Sequence, residues 1–423
     1  MRLSSTLGRE LVELPEPPGP IGMYFCGPTV YARAHIGNAR PYLVGSWYAR
    51  WLRSRGYEVT LVHNITDVDD KIFVAAPGRS GERADEATAW YLEDVGRFGL
   101  SEVDHFPRVT ETMPEIVAFI GDLIERGFAY DVDGDVYFRV SRWEDYGVLS
   151  GQKPDQVEEQ EPNPLKEDPR DFALWKATKS EEDRSWESPW GGGRPGWHIE
   201  CSAMAAKFLG PSFEIHGGGR DIVFPHHENE LAQSRAVGHE FARIWMHNGM
   251  LRFTGEKMSK SVGNTATINE VLDEWGRETT LLFFLTAHWH SPIDFSGERM
   301  EAARSRAEGL REVFRNPSEP APGGAWDRFQ RTLEEDFNTA EALAVLHDWR
   351  DHELLRRGLG VFGLAGLAEQ TVTPSEIEEL ARRRQEARAA RDFAESDRLR
   401  AEIDAAGWEV RDDANGYRLV PKA

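Results

Sequence analysis

The sequence is short of cysteine, of lysine and of long apolar runs, and each shortage excludes a class of protein. Only Cys26 and Cys201 occur among 423 residues, so a disulfide-built scaffold is ruled out and the two distant thiols need another role. No apolar run reaches the roughly 20 residues of a membrane helix. Met1 to Leu14 has neither a basic start nor an apolar stretch, and the expectation is a cytoplasmic protein with no membrane partner. A formal charge of −22 argues against a protein that coats nucleic acid without selectivity, while leaving room for a local basic face. Nine of the 50 basic residues are lysine, so two lysines three apart stand out. Arginines gather between Arg382 and Arg400; a solvated helix face amid Glu378, Glu379 and Glu386 and an RNA contact explain them equally well.

What is present is a globular composition: 40% apolar residues, with 14 Trp and 21 Phe, enough for a real core. Met23 to Phe25 reads as a short strand ending at Cys26-Gly27-Pro28. From Asn38 the residues Leu43, Trp47 and Trp51 recur every four positions until Gly56 stops the pattern, and Tyr57 to Val62 is β-rich. Strand, turn, helix and strand within about 40 residues make a βαβ unit, which predicts an α/β fold on a parallel sheet. From about 75 to 195 the rhythm breaks into helical stretches, a strand near Asp135 to Val140 and a polar passage from Gln152 to Pro169, read as an insertion. It returns with a strand at Phe213 to His216, a helix from about His226 and a strand at Ile244 to His247. Two helical blocks, Glu298 to Phe314 and Asp327 to Leu354, predict a bundle. Thr373 to Ala405 is a further long helical pattern before a β-like tail, Trp408 to Val420.

Three groups of residues carry chemistry. His35-Ile36-Gly37-Asn38 lies between the first strand and the first helix, where backbone N–H groups attract phosphate and an imidazole can donate to developing charge; a plain capping turn explains the same residues. Lys257-Met258-Ser259-Lys260-Ser261 offers two ammonium groups and two hydroxyls to a triphosphate and a departing pyrophosphate. Its alternative is a solvated lysine turn. His226 and Glu230, four apart, share one helix face. With Cys26 and Cys201 they make a set of two thiolates, an imidazole and a carboxylate that suits zinc, against the alternative of a capped helix and core thiols. His227 is expected to point about 100° away.

Together the histidine turn and the lysine loop resemble the two signatures of class I aminoacyl-tRNA synthetases. Four further blocks resemble the cysteinyl-tRNA synthetase family: Cys26 to Tyr31, Asn64 to Lys71, Gly196 to Met204 and His216 to Glu230. The resemblance implies a Rossmann-type catalytic domain over 1–298, with the insertion at about 75–195. A helical bundle over 299–370 and a small mixed α/β tRNA-binding domain over 371–423 would follow. It implies adenylation of L-cysteine by ATP with Mg2+, then transfer to tRNA(Cys), by a monomer carrying one Zn2+ on Cys26, Cys201, His226 and Glu230. His35, Asn38, Lys257 and Lys260 take the catalytic roles. ATP contacts fall on Pro28, His35, Gly37, Asn38, Lys257, Ser259 and Lys260, and cysteine contacts on Thr66, Trp197 and Asp221. Two departures stand: Asn38 where many members carry His, and a shortened stretch between about Trp349 and Val372. A cysteine ligase acting on an amino sugar would keep the same adenylation chemistry and is the alternative. A non-catalytic paralogue would be expected to lose a ligand or a signature lysine, and none is missing.

Overall fold

The computed structural model describes residues 1–153, 162–253, 266–369, 373–413 and 416–421, in two units, 1–367 and 368–423. The first unit opens with an antiparallel hairpin, β1 (Arg2–Ser5) and β2 (Glu10–Glu13). The sequence reading misses it because strands of four residues are too short for their alternation to register. Next, β3 (Pro20–Phe25), α1 (Ala39–Ser54) and β4 (Glu58–His63) form the expected βαβ unit. Met23, Tyr24 and Phe25 are all buried, as in a parallel strand covered on both faces. α1 buries Leu43, Trp47 and Trp51 on one stripe.

The insertion follows β4. Helices α2 (Asp70–Ala75), α3 (Ser80–Gly96) and α4 (Met113–Glu125) lead to strands β5 (Ala129–Val132), β6 (Asp135–Phe138), β7 (Phe172–Ala177) and β8 (Gly193–Pro195). These strands pair antiparallel in chain order. Buried Arg194 ties this sheet to α2 by an ion pair with Asp70, and it also pairs with Glu182 in the connection between β7 and β8.

After α5 (Trp197–Leu209), β9 (Ser212–Gly219), α6 (Glu228–Ala236) and β10 (Phe241–Asn248), the parallel sheet is complete, in the order β10-β9-β3-β4. β3 therefore has β4 on one side and β9 on the other. The chain leaves the C-terminal ends of β3 and β9 in opposite directions, and the crevice between them is where open α/β sheets bind ligands.

Strand β11 (Leu251–Phe253), helices α7 (Ile268–Trp275) and α8 (Arg277–Leu285), and β12 (Ile293–Phe295), paired with β11, close the sheet region. α9 (Gly297–Arg315) matches the first expected helical block. The second block is three helices rather than one: α10 (Ala325–Glu334), α11 (Thr339–Asp348) and α12 (His352–Val361). Asp336 and Phe337 take left-handed φ of 58° and 46°, and the side chains of Asn338 and Asp351 cap the helices that follow. α1 meets this region through its tryptophans. Trp47 Nε1 donates to the Phe362 carbonyl at 3.0 Å, and Trp51 packs edge-on against Phe329.

In the second unit, α13 (Ser375–Ala389) and α14 (Phe393–Ala405) precede an antiparallel hairpin, β13 (Trp408–Asp413) and β14 (Gly416–Pro421). The single long pattern breaks at Arg391, with φ 63°, and Asp392 caps α14. Of the clustered arginines, Arg384 is buried and pairs with Asp412 at 2.8 Å. Arg382 and Arg398 pair with glutamates of their own helices. Arg384 thus serves this unit's interior. No helix among the described residues is long and apolar enough to cross a membrane.

One close approach in the sheet is testable. A Cβ on Gly217 would sit 2.3 Å from the Phe25 ring, between the two central strands. Gly217→Ala is expected to lower stability by about 1–3 kcal/mol through overpacking, read as a lower urea midpoint.

Candidate active site at the switch point of the sheet

The site begins where β3 ends. Cys26 N–H donates to the Gly217 carbonyl at 3.0 Å, which carries the pairing one residue past the strand. At Gly27 only glycine fits, because a Cβ would lie 1.7 Å from the Asn64 carbonyl oxygen. Gly27 N–H donates to Asn64 Oδ1 at 2.9 Å, and Asn64 Nδ2 donates to Thr66 Oγ1 at 3.3 Å. Asn64 is fully buried, so one side chain holds both the Gly27 loop and the Thr66 hydroxyl.

The histidine turn lies opposite. Ile36–Asn38 is a single 3₁₀ turn leading into α1, anchored by Ile36 N–H to the Ala266 carbonyl at 2.8 Å. Burial lowers the pKa of His35, favouring the neutral ring. A cavity of about 260 Å³ brings together Cys26, Pro28, His35, Asn38, Thr66, Trp197, Cys201, Asp221 and His226. An adjoining hollow is lined by Pro28, His35, Gly37, Asn38 and Asp221, and reaches Asn248 and Phe253. Lys257, Ser259 and Lys260 lie outside the described residues.

At the cavity floor the donors expected from four places in the sequence converge. Cys26 Sγ is 3.8 Å from Cys201 Sγ and 3.6 Å from Glu230 Oε1. His226 Nε2 is 3.0 Å from Glu230 Oε1. All four residues are buried, and their ligand atoms lie within 4.8 Å of one another, close enough to share a metal ion. The two thiols are free. Trp197 stacks on His226 with ring centroids 4.2 Å apart.

His227 does not point away from the cluster. Its Nε2 is 3.3 Å from Cys26 Sγ, because Val223 to His227 is wound wider than an α-helix, with Phe224 extended, and the 100° step does not apply there. With Cys26, His216 and Glu230 it forms a second donor set, but Cys201 and His226 line the cavity and His216 and His227 do not. The cavity therefore selects the first set. Also missed were His216, whose Nε2 is 2.8 Å from Glu230 Oε2, and His198, whose Nδ1 is 2.9 Å from His226 Nδ1. Their signal was density: six of the 13 histidines fall between His198 and His247.

Burial pushes the Cys26 and Cys201 thiols and the Glu230 carboxyl up, and drives the imidazoles of His226 and His227 down. Every group is thereby shifted toward its uncharged form, as expected of ionisable groups taken out of water. A divalent cation would supply the charge that reverses this for the thiols and the carboxylate.

Residues 14–305 match the family model described as tRNA synthetases class I (C) catalytic domain. The chain belongs to the cysteinyl-tRNA synthetase family. Residues 371–417 match the cysteinyl-tRNA ligase anticodon binding domain, and 328–386 the DALR domain. Curated relatives named cysteine–tRNA ligase span nearly the whole chain. The protein of Brevibacillus brevis is 44% identical, covering 95% of each chain. That of Halorhodospira halophila is 44% identical, over 96% of this chain and 95% of its own. The fold is that of a Mycobacterium tuberculosis methionyl-tRNA synthetase in complex with methionyl-adenylate, at TM-score 0.61 and 15% identity, covering 82% of this chain and 88% of that one.

In this member of the cysteinyl-tRNA synthetase family, His63 lines the adjoining hollow and lies 2.6 Å from the Tyr91 hydroxyl. Burial pushes its pKa down to about 4, whereas in the unfolded chain it protonates near 6.5. Its contribution to stability is therefore full above about pH 6.5 and is lost as pH falls toward 4, at up to roughly 1.4 kcal/mol per pH unit. Urea midpoints between pH 7 and 4.5 should fall less steeply in His63→Gln than in wild type; equal slopes would show that His63 does not titrate on unfolding.

Proposed function

We infer that the chain adenylates L-cysteine with ATP and transfers the cysteinyl group to the terminal ribose of tRNA(Cys). The observation that carries this reading is the cavity itself, which unites a soft donor cluster with a phosphate-type histidine turn. The amino acid carboxylate attacks the α-phosphate of ATP, the α–β bridging bond breaks and pyrophosphate leaves. A ribose hydroxyl of the tRNA then attacks the acyl carbon and AMP leaves, with no covalent bond to the enzyme. Rate enhancement is then positioning and charge stabilisation. His35 and Asn38, with Pro28 and Gly37, would contact the triphosphate, and the family resemblance assigns Lys257, Ser259 and Lys260 to the same ligand, which Mg2+ would accompany. Thr66, Trp197 and Asp221 hold the amino acid.

Cys26, Cys201, His226 and Glu230 would hold the zinc ion. The thiols lie 3.8 Å apart, a separation that two sulfur ligands of one zinc ion could span, and the donor set suits zinc. Bound there, zinc would supply a soft Lewis acid, a setting that favours a thiolate over a hydroxyl. Ordinary contacts separate near-isosteres such as serine and cysteine by only about 1–3 kcal/mol, and the thiolate preference supplies the rest.

The match of residues 371–417 to an anticodon-binding domain supports tRNA as the acceptor and leaves the amino-sugar alternative without support. The proposed division is a catalytic domain, 1–298, a bundle, 299–370, and a tRNA-binding domain, 371–423, in a cytoplasmic monomer.

Purified protein with labelled cysteine, ATP, magnesium and total tRNA should charge tRNA with cysteine and not with serine. Cys201→Ala should lose bound zinc and raise KM for cysteine more than about 100-fold, beyond what loss of an outer partner of a metal site produces. Lys260→Ala should lower the adenylation rate about 100-fold or more. Full activity in zinc-free protein would overturn the metal assignment. Cysteine-dependent exchange of pyrophosphate into ATP with no charged tRNA would overturn the acceptor.

A further inference from the structure

The proposed chemistry leaves His227 and His247 without a task, yet they form a line that ends on the N-terminal hairpin. His227 Nε2 is 3.3 Å from Cys26 Sγ. His227 Nδ1 is 2.7 Å from His247 Nε2, and His247 Nδ1 is 2.7 Å from Thr6 Oγ1. The two rings are 0% and 3% exposed, so neither can exchange these partners for solvent.

Given Cys26 as a thiolate ligand, which rests on the function proposed above, these contacts fix the place of each proton. A thiolate only accepts, so the His227 Nε2–H donates to Cys26. Glu230 Oε1, at 4.0 Å, is too far to compete for it. A neutral imidazole carries one N–H. His227 Nδ1 is therefore an acceptor, and His247 Nε2–H donates to it. His247 Nδ1 is then an acceptor in turn, and its donor is the Thr6 hydroxyl.

We propose that Thr6 is a positioning residue for the metal site: its hydroxyl sets the tautomers of His247 and His227, and through them the N–H that holds the Cys26 thiolate. Thr6 is well placed for this because its backbone is fixed independently. Its N–H donates to the Trp245 carbonyl at 3.0 Å, and the neighbouring Ser5 Oγ accepts from Trp245 N–H at 3.1 Å. Valine at position 6 keeps the shape and those backbone bonds while removing the donor. The His247 Nδ1 lone pair is then left buried and unpaired, or both rings change tautomer and present a lone pair to the thiolate. Either outcome loosens Cys26.

The test uses zinc-loaded full-length protein, with zinc loss to excess chelator followed by a metallochromic dye. Thr6→Val should lose zinc about tenfold faster than wild type, the low end of what an outer partner of a metal ligand contributes. Its KM for cysteine should rise while KM for ATP stays, and Thr6→Ser, which keeps the hydroxyl, should restore both. Wild-type zinc retention in Thr6→Val overturns the role of Thr6. A defect in Thr6→Ser equal to that of the valine variant also overturns it, since packing of the hairpin would then be what matters. Wild-type protein that takes up no zinc overturns the metal reading and this one with it, and so separates the two failures.

Discussion

Placing two thiols, a carboxylate and several imidazoles in one apolar interior is the constraint on which the rest of this molecule depends. Taken alone, each group prefers water in its charged form, and burial here moves each toward neutrality. The fold offsets that loss by pairing the groups with one another. His216 binds Glu230, His198 meets His226, and His227 bridges Cys26 and His247. A half-satisfied network of this kind would be worse than an apolar core. The pairing also aims the donors: with its other nitrogen engaged, an imidazole has only one free to meet an ion.

Convergence of the cluster requires the topology. Cys26 ends β3, Cys201 lies on α5, and His226 and Glu230 flank the start of α6 after β9. Only a sheet in which β9 returns beside β3, across the insertion, can bring these segments to one floor. The same switch point sets the N-terminus of α1 at the cavity rim, so the groups proposed to bind phosphate and thiol meet without either crossing the sheet. Gly27 and Asn64 make this junction narrow. The Gly27 Cα is so near the Asn64 backbone that no side chain fits, and Thr66 depends on the same asparagine.

Much of this was legible in the sequence for identifiable reasons. The βαβ unit could be read because Leu43, Trp47 and Trp51 keep helical spacing and Met23 to Phe25 are continuously apolar. The donors could be paired because His226 and Glu230 are four apart and the chain has just two thiols. The placement of His227 was not legible, since the 100° step presumes α-helical winding and the turn before α6 is wider. The breaks at Asp336 and Arg391 were hidden because left-handed residues other than glycine leave little trace. Their neighbours Asn338 and Asp392, both good N-caps, were the readable sign. The arginines near the C-terminus show the limit of charge counting, because Arg384 faces its own core.

Amino acid selection follows from what the cavity can and cannot measure. Serine is the smaller and harder analogue of cysteine, so it enters any pocket that admits cysteine, and steric exclusion cannot reject it. Hydrogen bonding to the side chain discriminates poorly too, because a hydroxyl makes the stronger hydrogen bonds. The remaining handle is softness and acidity: a thiol ionises near neutral pH when a cation is close, and a hydroxyl does not. With the zinc ion proposed on Cys26, Cys201, His226 and Glu230, this floor, where Trp197 stacks on His226, would test that property at the moment of binding. Selection at this step would make later hydrolysis of a wrong product unnecessary, and whatever the site binds could then be committed to adenylation.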